Sequence, residues 1–247
     1  MPVPRLRVFA GPNGSGKSTI KEQIPANLIG TYVNADEIEK EARASGFVDL
    51  AQFDVTTTLK ALQGFFAGHP LLQKAGQQGH AGLIALDDQR VDFRGVQVSS
   101  YYASVMSDFI RHNLLAQKVS FTFETVMSFK DKVEFMQLAQ ANGYRTYLYF
   151  VATESPEINI NRVANRVDDG GHDVAQEKIV ERYYRSVELL PVAIAASDRA
   201  YIFDNSREQS VLLAEVTDGT ELQFHEEEIP DWFIHGYVDK VTSYGGC

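Results

Sequence analysis

The chain has 247 residues, 44% of them hydrophobic, and a formal net charge of −10 at pH 7. That composition supplies a buried core and excludes a disordered chain, while the acidic balance speaks against a nucleic-acid-binding surface and the apolar runs are too short for a membrane span. The one cysteine, Cys247, permits no disulfide framework or cysteine-based metal site within a monomer. With the first strand starting at once and no signal peptide ahead of it, a cytoplasmic protein with neither a membrane nor a nucleic-acid partner is expected.

In chain order, residues 5–10 read as an apolar strand and 17–24 as a helix. Between them, Gly11-Pro12-Asn13-Gly14-Ser15-Gly16-Lys17-Ser18-Thr19 fills each fixed position of the phosphate-binding P-loop, in the strand–loop–helix context that confirms it. Glycines at 11, 14 and 16 let backbone N–H groups approach phosphate oxygens. The helix beginning near Lys17 adds the positive end of its dipole. Lys17 reaches the β- and γ-phosphates, and the Ser18 hydroxyl ligates Mg²⁺. The pattern implies a bound nucleoside triphosphate.

A strand at 31–34 then precedes a charged helix at 36–44. Residues 46–118 fit the alternation less well. They offer a helical piece at 53–67, a glycine-rich stretch at 76–82, strand candidates at 82–86 and 93–98 with Asp87-Asp88 between them, and a helix at 99–115. This excess reads as an insertion near the acceptor site, capped by a hairpin. Beyond it come a strand at 120–124, a helix at 129–142, a very apolar strand at 145–152, helices at 156–167 and 175–196, and a short strand at 200–203 ended by Asp204-Asn205-Ser206. The tail reads as an edge hairpin, 212–217 and 221–225 around Asp218-Gly219, followed by a packed segment with Trp232-Phe233. Strands alternating with helices imply an α/β fold of P-loop NTPase type. Its sheet is doubly wound and mainly parallel, with helices on both faces. A single domain over 1–247 is expected, with the insertion at about 46–118 and a C-terminal extension at about 212–247.

The carboxylates must decide what the P-loop serves. Asp36 follows a strand and would emerge beside the P-loop, where it could take the proton of an acceptor hydroxyl; otherwise it caps the following helix. Glu124-Thr125 ends the strand at 120–124. Glu124 could hold the acceptor or a Mg²⁺-bound water, and Thr125 could donate a hydrogen bond to substrate. Asp87 and Asp88 compete as an apolar strand's acidic end, but within the irregular insertion they are expected to be turn residues. Arg162 and Arg166 share one helical face, and Arg182 and Arg185 lie beyond the Gly170-Gly171 break. Four arginines around such a break look like a lid over a transferring phosphate, against the alternative of ion pairs with Asp168, Glu177 and Glu181. His172 reads as a substrate contact or lid hinge.

Taken together, these pieces resemble the zeta toxin family of P-loop kinases. The resemblance rests on Ala10-Gly-Pro-Asn-Gly-Ser-Gly-Lys-Ser-Thr19, Val33-Asn-Ala-Asp-Glu-Ile38, Phe123-Glu-Thr125, Asn161-Arg-Val-Ala-Asn-Arg166, Gly170-Gly-His-Asp-Val174, Arg182-Tyr183 and Phe203-Asp-Asn-Ser206. It implies an ATP- and Mg²⁺-dependent kinase that phosphorylates a sugar hydroxyl of UDP-N-acetylglucosamine or a related nucleotide-sugar, as the toxin of a toxin–antitoxin system with a separate antitoxin. Asp36 would be the general base and Lys17 the phosphate-binding lysine, with Glu124 and Thr125 on the sugar. Lid arginines would stabilise transition-state charge, Arg162 or Arg166 taking the principal role. The long insertion departs from the pattern where the acceptor would sit. A kinase for another metabolite or an antibiotic therefore stays open, as does a nucleotide-dependent switch or binding module.

Overall fold

A computed structural model describes residues 3–168 and 174–244. Its strands are β1 (Arg5–Ala10), β2 (Thr31–Val33), β3 (Phe47–Asp49), β4 (Ala85–Asp87), β5 (Arg90–Asp92), β6 (Phe121–Thr125), β7 (Arg145–Ala152), β8 (Arg199–Asp204), β9 (Val211–Thr217) and β10 (Glu221–Phe224). The helices are α1 (Lys17–Gln23), α2 (Ala26–Ile29), α3 (Ala35–Ser45), α4 (Leu59–Gly68), α5 (Pro70–Lys74), α6 (Ser100–Ala116), α7 (Asp131–Ala141), α8 (Pro156–Asp168), α9 (Gln176–Glu188), α10 (Leu190–Ala195), α11 (Asp231–Phe233) and α12 (Asp239–Tyr244). The chain divides into two units, one of Met1–Gly30 with Thr122–Cys247, the other of Thr31–Phe121.

In the first unit six strands run in the order β10-β9-β8-β7-β1-β6. β7 pairs in parallel with both β1 and β8, while β9 and β10 add an antiparallel edge. From Leu148 to Ala152 every β7 side chain is buried, as a parallel strand covered on both faces requires. Phe9, Tyr149 and Tyr201 share one register across β1, β7 and β8. Their rings stack at centroid separations of 4.7 and 5.0 Å, and Ile20 of α1 packs against the same cluster. Because β1, β7 and β8 are parallel, their carboxyl ends open at one edge of the sheet, the edge where this fold class binds ligands. Asp218 and Gly219 both take positive φ to turn β9 into β10. The helix expected at 175–196 is two, α9 and α10, because Pro191 at the start of α10 lacks the N–H that would continue α9.

The second unit packs α3 against α6 and carries a three-stranded antiparallel sheet, β3-β5-β4. Phe66, Phe93 and Tyr102 form an aromatic trio in its core, with centroids 6.1–6.4 Å apart. Asp88, at φ 55, turns β4 into β5. Asp87 ends β4 and Asp88 sits in a hairpin turn, so neither holds a Walker-type strand end in a parallel sheet. The strand expected at 93–98 lies instead at Arg90–Asp92. There the Asp92 carboxylate accepts from the Arg94 backbone N–H at 2.9 Å and Val96 N donates to Phe93 O at 3.0 Å, which bends the chain. The Arg94 guanidinium, also hydrogen-bonded to Asp92, holds that carboxyl down at about 2. The helix expected from residue 53 begins only at Leu59, after Asp54 turns at φ 55 and Thr58 caps the helix through Ala61 N. No helix among the described residues is long and apolar enough to cross a membrane.

Candidate functional site

The chain leaves β1 through Gly11, at φ +140, where a Cβ would stand 2.0 Å from the Val151 carbonyl oxygen on neighbouring β7. Only glycine fits that approach. The loop closes on itself through Ser15 N donating to Pro12 O at 3.3 Å, and α1 begins after Gly16, at φ +93 and ψ 26. Lys17 is buried, its Nζ donating to Gly11 O at 2.9 Å and Pro12 O at 3.0 Å. Ser15 Oγ is buried with no hydrogen-bond partner. Ser18 and Thr19 are exposed on the first turn of α1.

Glu124, at the carboxyl end of β6, meets this loop twice. Its Oε1 lies 3.9 Å from Lys17 Nζ, and its Oε2 accepts from Ser18 Oγ at 3.4 Å. Thr125 is engaged locally: its hydroxyl accepts from Met127 N at 3.1 Å and holds a turn in which Met127 takes φ 53. Arg182 on α9 donates to Asn13 Oδ1 at 3.2 Å, so it stands on the P-loop itself. Arg185, one turn on, pairs with Glu181 at 2.7 Å and lies over the Phe129 ring at 5.4 Å; it follows the ion-pair reading. Arg162 Nη2 donates to Arg207 O at 3.4 Å while its Nη1 is buried without a partner, and Arg166 is exposed on the last turn of α8. The Gly170-Gly171 break and His172 lie outside the described residues.

Asp36 belongs to the second unit. Its capping role is filled by Asn34, whose Oδ1 accepts from Asp36 N at 2.8 Å and whose Nδ2 donates to Tyr32 OH at 3.0 Å. The Asp36 side chain therefore stands exposed on the first turn of α3.

Three contacts escape a sequence reading. Asn205, just past β8, donates from Nδ2 to Ser15 O at 2.8 Å. Tyr183 of α9 donates to Thr153 O at 2.6 Å, and Thr153 Oγ1 donates to Asn159 Oδ1 of α8 at 2.7 Å, tying both helices to the end of β7. Burial pushes the Tyr183 phenol well above its ordinary range. For Asn205 a signal existed: it ends a core strand of a doubly wound sheet, at the edge where the P-loop lies.

A mostly parallel core whose first strand opens into a glycine-rich loop, with lysine and serine starting the next helix, defines a P-loop α/β protein of NTPase type. A family model described as zeta toxin matches residues 83–217, over half of the chain. The chain belongs to the zeta toxin family. An uncharacterized protein of Haemophilus influenzae (strain ATCC 51907 / DSM 11121 / KW20 / Rd) is 31% identical over 72 residues, 29% of this chain and 51% of that one. A solved structure from the PezAT chromosomal toxin–antitoxin system of Streptococcus pneumoniae aligns with 99% of this chain and 85% of its own, at 16% identity and a TM-score of 0.52. The AvrRxo1-ORF1:AvrRxo1-ORF2 complex with sulphate ions aligns over 91% of this chain and 61% of the matched chain, at 15% identity and a TM-score of 0.52. At these identities the two structures testify to the fold. The chain spans about half the length of its Haemophilus relative and less than two thirds of the AvrRxo1 chain.

Proposed function

We propose that this protein is a phosphotransferase that moves the terminal phosphoryl group of ATP onto a sugar hydroxyl of UDP-N-acetylglucosamine or a related nucleotide-sugar, as the cytoplasmic toxin of a toxin–antitoxin pair. The observation that carries the reading is the convergence of Lys17, Ser18 and Glu124 at the P-loop. The loop suits a polyphosphate. Gly11 has no room for a side chain, Ser15 Oγ is buried without a partner, and a buried lysine stands at the mouth of the following helix. Mg²⁺, held by the Ser18 hydroxyl and through water by Glu124, would supply charge neutralisation between the phosphates when bound.

Asp36 takes the proton of the acceptor hydroxyl as its oxygen attacks the γ-phosphorus; the bond to the bridging oxygen breaks and ADP leaves. Lys17 exchanges the Gly11 and Pro12 carbonyls for phosphate oxygens. Arg182, already on Asn13, joins Arg162 and Arg166 in compensating charge on the transferred group. Glu124 and Thr125 are assigned to the acceptor, as is His172, which lies outside the described residues, and a separate antitoxin is the protein partner, a reading supported by membership of the zeta toxin family.

Incubation with Mg-ATP and a panel of nucleotide-sugars, read by mass for one added phosphate, tests the reading. Phosphorylation of one panel member that disappears in Asp36→Ala, with ATP binding retained, is the expected result. If no nucleotide-sugar gains mass while ATP still binds, the acceptor is another metabolite or an antibiotic. Phosphorylation that persists in Asp36→Ala removes Asp36 from the general-base role, and ATP binding with only slow hydrolysis and no acceptor phosphorylated points to a nucleotide-dependent switch instead.

A further inference from the structure

The geometry points to Asn205 as a positioning residue of the P-loop, held in place by the C-terminal segment through Asp204 and Trp232. This inference rests on the nucleotide-binding reading above.

Asn205 is clamped from two sides. Its backbone N–H donates to Ala152 O at the end of β7, and its side-chain Nδ2 donates to Ser15 O, both at 2.8 Å. The described chain has no cis peptide bond, so the Ser15–Gly16 peptide is trans and planar. Fixing its carbonyl on Asn205 aims the Gly16 N–H the opposite way. That N–H is one of the loop amides meant for phosphate. Nδ2 also stands 2.0 Å from where a Gly16 Cβ would be, so Asn205 fills the space that Gly16 leaves bare. Without the clamp, a peptide ahead of a glycine can rotate, and its ordering would be added to the cost of binding.

The residues flanking Asn205 are pinned as well. Asp204 Oδ1 accepts from Ser206 Oγ at 2.7 Å and from Trp232 Nε1 at 2.9 Å, while Oδ2 accepts from Ser206 N at 3.2 Å. Ser206 Oγ in turn accepts from Glu154 N at 2.8 Å. Trp232 is buried and packs on Phe150 and Phe233. The segment after the edge hairpin thus returns to the turn that carries Asn205.

Calorimetric titration with Mg-ADP tests this on wild type, Asn205→Ala, Asn205→Asp and Trp232→Phe, each checked for its melting temperature without nucleotide. Asn205→Asp keeps the shape and loses the donor; Trp232→Phe keeps the ring packing and loses the indole N–H. Both Asn205 variants should bind about tenfold more weakly or worse, and Trp232→Phe about threefold more weakly, at temperatures where each is folded. Trp232 is the chain's one tryptophan, so saturating Mg-ADP should shift the intrinsic emission of wild type and not of Asn205→Ala. Wild-type affinity in both Asn205 variants overturns the inference. Wild-type affinity in Trp232→Phe, or an unmoved emission in wild type, overturns the part played by the C-terminal segment. A wild type that binds no Mg-ADP refutes the nucleotide-binding reading itself, and the inference with it.

Discussion

Replacing Gly16 by alanine perturbs two things that can be separated. Gly16 sits at φ +93 and ψ 26, a left-handed conformation that costs an L-residue roughly 1–2 kcal/mol. The new Cβ would stand 2.0 Å from Asn205 Nδ2. That atom is a side-chain end and can swing away, but in doing so it abandons Ser15 O, a loss of about 0.5–1.5 kcal/mol. Together these give about 2–3 kcal/mol, or a melting temperature lower by about 4–12 °C for a chain of this size. In an Asn205→Ala background the bond is already gone and the space is open, so only the backbone cost of roughly 1–2 kcal/mol remains. The assay is thermal unfolding followed by circular dichroism on wild type, both single variants and the double variant. The expected coupling is about 1 kcal/mol, with the double variant more stable than the two single losses added together. Equal Gly16→Ala losses in both backgrounds would refute the placement of Asn205 against Gly16.

Lys17→Met should leave the protein folded and weaken Mg-ADP binding by about tenfold to a hundredfold, from the roughly 1.5–3 kcal/mol of a charged hydrogen bond; unchanged affinity by calorimetry would contradict the loop's reading. Asn34→Ala removes the α3 cap on Asp36 N and should cost about 1 kcal/mol, seen as a melting temperature lower by about 2–4 °C. Tyr183→Phe tests a pH dependence. Burial raises the folded phenol above its unfolded value of about 10, so its contribution is complete below about pH 10 and fades as pH rises past that. The variant should lose about 1 kcal/mol at neutral pH with the bond to Thr153 O, and its denaturation profile should fall less steeply than wild type above about pH 10. Parallel alkaline slopes would argue against it.

How much of this was legible depended on whether the cause lay nearby in the chain. The β1 and β7 strands match their expected bounds because apolar runs between polar flanks carry their own limits. The P-loop was legible because its fixed positions each answer to phosphate chemistry. Where a side chain close in sequence bends the backbone, the apolar pattern alone misplaces the element. Asp92 accepting from Arg94 N ends β5 where apolar residues continue, and Pro191 divides an unbroken helical pattern. Asn34, not Asp36, caps α3, although both are good capping residues and only geometry separates them. Farthest from reach was Asn205, whose partner Ser15 lies 190 positions away.

The P-loop motif is shared by a superfamily, so what distinguishes this chain must lie in what surrounds the loop. Three side chains from separate elements meet it: Glu124 from the end of β6 touches Lys17 and Ser18, Arg182 from α9 touches Asn13, and Asn205 from the end of β8 touches Ser15. All three fall within residues 83–217, the segment matched by the zeta toxin family, while the loop itself precedes that segment. They contact different loop residues, and two of them stand at strand ends of the first unit, Glu124 near the end of β6 and Asn205 just past β8. On this view, changing one partner should alter how the loop holds phosphate without altering the loop's own sequence, which is what the Asn205 and Trp232 variants measure.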